Sequence, residues 1–456
     1  MKGSMNLTFE ENFAVVKNGH LALHDLDLVD LCSEYGTPLF AFDEDRLVAN
    51  FERIRRAFDS VYSKVIVCYS VKTNNNLTIC KTLREKNAYA EVSSELDFDT
   101  ALEAGFAGDH IIFDGTFKPK EALQKALEAK VLLINVESFT EMERLNNVAG
   151  EMGVRQPIGL RINPFEDPGF HKYTSASGLI DSALCHPSSR FGFSLNDTYL
   201  AFKKAKKFEN LSVEGIMTHP YHTATKYLLP IMHEIQEKLG VEIKYLNIGG
   251  GFDPGVTRSV GIGFLIIEFI RRKMGRKSRL AVERRATKVE SIAKQIVEEI
   301  KQGLGGLSEP TIVVEPGKFV TASSGILLVR VDHLKEAGGY KWAIVDGGTN
   351  IVPNFLGGKE LRKVIVANKA SSEPEETINV VGPLLYPEDL VAFQVKLPKV
   401  SEGDILSILA CGAYTLSMSN QFLYPRPAAV LLNSKGEVKV IREKETFEDF
   451  SHKDTI

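Results

Sequence analysis

The chain has 456 residues, 44% of them hydrophobic, which is enough for two or three domains with sizeable cores. A formal net charge of -4 gives no electrostatic reason for nucleic acid or an anionic membrane as a partner. The cysteines (Cys32, Cys68, Cys80, Cys185, Cys411) form no C-x-x-C pair, no apolar run approaches membrane-spanning length, and the early Glu10 and Glu11 do not resemble a signal peptide, so a soluble cytoplasmic protein without a disulfide frame or structural zinc is expected.

In chain order, residues 13 to 36 predict a short strand, a turn at Asn18-Gly19 and a helix that ends at Gly36. Leu39 to Phe42 reads as a lead-in strand. Val67-Cys68-Tyr69-Ser70-Val71 is a β-branched and aromatic run that predicts a buried strand, and the polar Lys72-Thr73-Asn74-Asn75-Asn76 that follows must leave it. From there strands and helices alternate with short polar joints. Strands are expected at 88–93, 110–114, 131–136, 157–163, 213–219, 245–248 and 311–314, with helices at 77–86, 119–129 and after Glu137-Ser138. Counting from the Lys72 strand gives about eight parallel candidates, the number that closes a barrel. Closure would make the first and last strands neighbours and set Lys72 beside Glu315 at one mouth. Beyond 320 the texture changes to strands without long helices, an all-β region that residues 1 to 38 are expected to join. The domain reading is therefore a barrel over 39–319 and a β-rich domain of 1–38 with 320–456.

Two segments interrupt the rhythm. Residues 164 to 196 form a long Pro/Gly/Ser/His-containing excursion at the barrel's active end. Residues 271 to 288 are densely basic and read as a solvated face, with anion binding as the lesser reading.

The chemistry-bearing residues cluster at strand ends. A lysine such as Lys72 at the carboxyl end of a barrel strand is placed for chemistry, because a partly desolvated amine can form a Schiff base with an aldehyde cofactor or a carbonyl substrate. In isolation such a lysine more often snorkels. Asn247-Ile248-Gly249-Gly250-Gly251 ends a strand in glycines whose N–H groups can cradle a phosphate, though glycines also make plain turns. Glu315-Pro316-Gly317-Lys318 ends the last strand, and a carboxylate there can keep a ring nitrogen protonated or simply cap the strand. His219 and His222 follow another strand, where each can stack on a cofactor, bind metal or be a satisfied core histidine.

Together these pieces resemble one family. Tyr69-Ser70-Val71-Lys72-Thr73-Asn74 is similar to the pyridoxal-phosphate lysine motif of the fold type III amino-acid decarboxylases, the group with diaminopimelate, ornithine and arginine decarboxylases. The resemblance runs from about residue 38 to about 432. It includes Glu91-Val-Ser-Ser94, Phe113-Asp-Gly115, Asn135-Val-Glu-Ser138, Arg161-Ile-Asn-Pro164, Ser189-Arg-Phe-Gly192, Gly249-Gly-Gly251 and Glu315-Pro-Gly317. It continues through Asp346-Gly-Gly348, Gly382-Pro383, Gly412-Ala-Tyr414 and Arg426-Pro427. The resemblance implies an α/β fold, a (β/α)8 TIM-like barrel of the alanine-racemase kind, with a C-terminal all-β domain. It implies pyridoxal 5'-phosphate held covalently by Lys72, with Glu315 on the pyridine nitrogen and His219 on the ring face. Gly249, Gly250, Gly251, Gly317, Lys318 and Tyr414 are then the phosphate-side residues. It further implies a homodimer in which residues near 385 and 414 complete the partner's site.

Some positions depart from the family's pattern. Where the family reads Gly-Pro-x-Cys followed by an acid, this chain reads Gly382-Pro383-Leu384-Leu385-Tyr386-Pro387-Glu388-Asp389. Leucine cannot donate a proton, so Tyr386 becomes the candidate general acid or an aromatic wall, and Asp389 the candidate substrate carboxylate. His222 stands where the family has serine, Lys318 where it has arginine, and the family's substrate arginine is missing near Asn354. The expected activity is decarboxylation of an amino acid or amino-acid derivative, with the substrate open. A racemase or epimerase on the same fold, and a non-catalytic homologue that acts by heterodimerising, are the alternatives.

Overall fold

The computed structural model describes residues 14–165, 190–260, 288–353 and 359–455, together with 267, 270, 271 and 274. Most of the 164–196 excursion, the 271–288 basic run, Cys185 and Asn354 lie outside the described residues. The chain divides into two compact units, Phe51–Phe252 with Thr287–Gly317, and the residues that remain.

The first unit is built on a closed barrel of eight parallel strands. In chain order they are Val65–Ser70, Tyr89–Val92, Ile111–Phe113, Leu133–Val136, Gln156–Arg161, Leu211–Met217, Tyr245–Asn247 and Thr311–Val314. The first and last strands pair directly, Val314 opposite Val67, as the count from Lys72 requires. Helices alternate with them because the joints carry caps. Asn76 accepts from the N–H groups of Thr78 and Ile79 to start Leu77–Arg84, and Ser94 and Ser138 accept from Asp97 and Glu141 to start Glu95–Glu103 and Phe139–Glu151. Side chains alternate across each strand, so the interior is built in layers two residues apart. Cys68, Ile112, Leu133 and Val313 form a dry, buried layer, and burying each of the three aliphatic side chains is worth about 1.5–3 kcal/mol.

Two residues further along the strands, the same faces carry Ser70, Glu91, Asp114, Asn135, Arg161, Asn247 and Glu315. The layer at the carboxyl end is therefore polar, and it sits on a floor that water does not reach.

The second unit contains a nine-stranded sheet ordered Leu390–Leu397, Glu376–Val381, Tyr340–Val345, Gly325–Ala337, Leu39–Asp43, Ala428–Leu432, Val438–Arg442. Ile405–Ile408 also pairs with Gly325–Ala337 and carries Val364–Val366 on its other edge. Leu39–Asp43 thus lies between Gly325–Ala337 and Ala428–Leu432, and is not a lead-in to the barrel. All five of its residues are buried, and a strand covered on both faces has no alternation to say which sheet it joins. The hairpin Ala14–Lys17/His20–Leu23 and the helix Leu28–Tyr35 pack on this unit, where Leu21, Leu23 and Leu28 share a core with Leu39, Ile326 and Val430.

Candidate active site

The turn Val71–Thr73 leaves the first barrel strand and lifts Lys72 over the polar layer. Its Nζ donates to both carboxylate oxygens of Glu91, each at 2.6 Å, and to Ser93 Oγ at 2.9 Å. Glu91 is only 1% exposed, and the hydroxyls of Ser70 and Ser93 also donate to it, each at 2.5 Å. Burial alone would raise the Glu91 carboxyl; the Lys72 ammonium and these hydroxyls overcome that and hold it below the usual carboxylate range. Lys72 itself remains 44% exposed, so it can reach a ligand above the layer.

Two further carboxyls share the layer, and among the described residues neither has an ion pair of its own, although the Lys72 charge lowers both and the Arg161 charge lowers Asp114. Glu315 Oε1 accepts from Asn247 Nδ2 at 2.6 Å, and Asp114 Oδ1 accepts from Asn135 Nδ2 at 2.5 Å. Burial, then the Asp114 and Glu91 charges, push Glu315 well up. Burial and the Glu91 charge raise Asp114 to about 6. Arg161 on the fifth strand is held by Glu137, Nη1 to Oε1 at 2.8 Å.

Gly249, Gly250 and Gly251 follow the seventh strand, and no side chain fits there. A Cβ at Gly250 would fall 2.4 Å from the Glu315 carbonyl, and one at Gly249 2.9 Å from His219 Nδ1, with Gly249 and Gly251 also at positive φ. The Gly250 N–H donates to His219 Nδ1 at 3.2 Å, which makes that nitrogen an acceptor. Burial, then the Arg161 and Lys72 charges, drive the His219 imidazole down to about 3, so the ring is neutral. Gly317 is required by close approach, since a Cβ there would lie 2.1 Å from Thr73 Oγ1 and 3.1 Å from Ser70 Cβ.

The barrel unit therefore gathers Lys72, His219, Gly249–Gly251, Glu315 and Gly317 at one end. The other expected residues belong to the second unit. Lys318 is ion-paired with Glu360, which also holds Arg362 Nη2 at 2.6 Å and Thr257 Oγ1 at 2.5 Å. Asp389 is buried, and its carboxylate accepts from the N–H groups of Thr349 (2.6 Å) and Leu384 (2.8 Å) and from Thr349 Oγ1 (3.0 Å). The substrate contact expected of Asp389 gives way to a role in closing its own loop, because its oxygens already have donors. Tyr414, at positive φ, packs against Val256, Ala322, Ala410 and Ala413. Leu385 is 93% exposed and Tyr386 49%, on the loop after Glu376–Val381. Cys411 is buried, and burial pushes its thiol up to about 11, which leaves it inert core.

Sequence reasoning had no role for Glu91, Asp114, Asn135, Arg161 or Asn247 beyond motif text. The signal that finds them is the period of two, counted outward from the apolar positions of each barrel strand.

The barrel's donor set suits a phosphorylated aldehyde. An amine on a strand end, a glycine cradle that excludes Cβ atoms, a flat neutral imidazole and a buried carboxyl are the partners that a pyridoxal phosphate requires for its aldehyde, phosphate, ring face and ring nitrogen.

Comparison with known proteins agrees. The model of the pyridoxal-dependent decarboxylase pyridoxal binding domain matches residues 45–322. A diaminopimelate decarboxylase of Methanothermobacter thermautotrophicus is 34% identical over 94% of this chain and 94% of its own, and one of Aquifex aeolicus 29% identical over 97% and 98%. Among solved structures, the Methanocaldococcus jannaschii diaminopimelate decarboxylase in co-complex with L-lysine has 26% identity and a TM-score of 0.83, covering 98% of this chain and 99% of its own. The chain belongs to the pyridoxal-dependent decarboxylase family and is a pyridoxal-phosphate-dependent carboxy-lyase acting on an amino acid.

Proposed function

We propose that the substrate is diaminopimelate or an amino acid of its class, with an aliphatic chain between the reacting α-carbon and a polar distal group. The observation that carries this is the end-to-end likeness to proteins named diaminopimelate decarboxylase, at 34% identity over 94% of the chain. The cofactor, when bound, supplies an electron sink for the electron pair left as carbon dioxide departs. Lys72 would hold it, and Glu91 orients the Lys72 Nζ and can take up or return its proton. Neutral His219 supplies a flat ring without competing for charge. The N–H groups of Gly249 to Gly251 would face the phosphate, and Glu315 would hold a proton at the ring nitrogen.

In this reading the protein is a cytoplasmic homodimer. The exposed Leu385 and Tyr386 suit a loop that completes a partner's site, and the described cysteines are buried free thiols. Tyr386 would then close the substrate chamber or protonate the product carbon. It also favours a second reading, a substrate whose distal end is uncharged, since a phenol offers no formal charge to an ammonium near neutral pH.

The test is carbon dioxide release from meso-diaminopimelate, lysine, ornithine, arginine and N-acylated diaminopimelate. Turnover of diaminopimelate at least about tenfold above the others, in kcat/KM, is expected, a preference worth roughly 1.4 kcal/mol. Release from another member alone refutes the substrate while leaving the decarboxylase chemistry intact.

A further inference from the structure

Among the described residues, the charges of the polar layer do not balance. Glu91 is matched by Lys72 and Glu137 by Arg161, at 2.6 and 2.8 Å. Asp114 and Glu315 remain, 3% and 6% exposed, each held by one side-chain amide. They descend from the same interior parity, two residues beyond Ile112 and Val313 of the dry floor, so both look into the barrel's carboxyl end. An amide can steady a carboxylate but cannot neutralise it, and two such groups in a water-poor layer disfavour each other's ionisation.

Among the described residues, the charged or titratable groups in the layer and on the turns above it include Lys72, Glu91, Glu137, Arg161, His219 and Glu315, with Cys68 in the floor below, while the seventh strand offers the neutral Asn247. The two cations among them each have a carboxylate partner of their own, with Arg161 also acting on Asp114 at longer range, and His219 is neutral. Among the described residues the layer thus carries more carboxyls than cations, and the excess lies at Asp114 and Glu315.

We propose that Asp114 is a positioning residue that acts through Glu315, the two carboxyls together holding one proton in the empty site and one protonated ring nitrogen when the cofactor is bound. The proton count closes. A ring nitrogen that arrives unprotonated takes the proton the pair already holds, and nothing is released. One that arrives protonated displaces that proton to solvent. In both cases the pair and the ring nitrogen end with one proton among them. Asp114 needs no contact with the ring for this. Its charge raises the proton affinity of whatever Glu315 is bonded to, and the ring nitrogen is held protonated to higher pH than Glu315 alone achieves. This rests on the role proposed above for Glu315.

The experiment is a pH titration of the holoenzyme reconstituted with ring-15N pyridoxal phosphate, reading the ring-nitrogen chemical shift, which separates protonated from unprotonated pyridine without any turnover. In the unsubstituted protein the nitrogen is expected to stay protonated through about pH 9. In Asp114→Asn its midpoint should fall by about one pH unit or more, a tenfold change in proton affinity, and Asp114→Glu should restore it. In a Glu315→Gln background, Asp114→Asn should shift the midpoint by less than it does with Glu315 present. Asp114→Ala serves the same comparison where the asparagine variant does not accumulate. A Glu315→Gln variant that shifts the midpoint beside Asp114→Asn and Asp114→Ala variants that do not overturns the role of Asp114 alone. A Glu315→Gln variant that leaves it unchanged overturns both.

Discussion

Replacing Lys72 with alanine should do more than remove the point of cofactor attachment. The Lys72 Nζ lies 2.6 Å from both oxygens of Glu91, a carboxylate with 1% of its surface exposed. Breaking a fully buried pair by removing one member costs about 3–5 kcal/mol; Lys72 is 44% exposed and the Ser70 and Ser93 hydroxyls remain on Glu91, so screening holds this case to about 3 kcal/mol at most. The pH dependence distinguishes this electrostatic cost from a packing cost. With Lys72 present, the Glu91 carboxyl is held below its ordinary value, so its stabilising contribution is present above about pH 4.5 and is lost as pH falls below that. Without the ammonium, burial is the largest remaining influence and pushes the carboxyl up. The native variant then binds a proton more tightly than the unfolded chain, and it loses stability as pH rises. The deficit of Lys72→Ala against the unsubstituted protein should therefore be greatest near about pH 8 and should shrink as pH falls toward about 5. Amide hydrogen exchange on cofactor-free protein reads this in the barrel alone, with Val65–Ser70 and Tyr89–Val92 as reporters. A deficit of about 3 kcal/mol appears as exchange roughly a hundredfold faster, and Lys72→Ala/Glu91→Gln should recover most of it. Equal deficits at the two pH values, or no recovery in the double variant, would refute the reasoning.

Other substitutions probe the remaining groups. The holoenzyme of Lys72→Ala should lack the absorbance band of covalently held cofactor, and a reducible adduct at any other lysine would displace Lys72 from its role. Glu315→Gln should bind cofactor yet decarboxylate poorly, and turnover within about threefold of the unsubstituted enzyme, roughly 0.7 kcal/mol in barrier, would contradict the ring-nitrogen assignment. His219, driven down to about 3, stays neutral throughout the working range, so replacing it with phenylalanine should remove no limb of the pH–rate profile between about pH 5 and 9. A limb that disappears in that variant would show that the imidazole titrates. Tyr386→Phe should keep substrate affinity, lower carbon dioxide release and raise abortive transamination; an unchanged ratio of the two would exclude the phenol as proton donor.

What could be read in the sequence follows from which physical signals are local. The Val65–Ser70 strand and the lysine after it were legible because a β-branched run ending in a polar cluster has few other solutions, and eight repeats of that rhythm imply closure. Closure in turn put Glu315 beside the first strand, as the Val314–Val67 pairing bears out. Leu39–Asp43 was misplaced for the complementary reason, since a strand buried on both faces looks the same in either sheet. Asp389 and Lys318 sit at recognisable motif positions, yet their partners Thr349 and Glu360 are 40 and 42 residues away, and no local pattern announces such a pairing.

The polar layer falls between these cases. Glu91, Asp114, Asn135, Arg161 and Asn247 each read as an ordinary polar residue near a strand end, and only counting by twos from Tyr89, Ile112, Leu133, Gly159 and Tyr245 places them on one level. Once it is assembled, its charges among the described residues are Glu91, Asp114, Glu137 and Glu315 against the cations Lys72 and Arg161, in a region with little water. A folded protein keeps such an imbalance only when something offsets it, either protons taken up by the carboxyls or a cation brought in by a ligand. A protonated pyridine ring is such a cation. The same excess of carboxyls that destabilises the empty barrel as pH rises would thus favour holding the cofactor in the protonation state that makes it an electron sink.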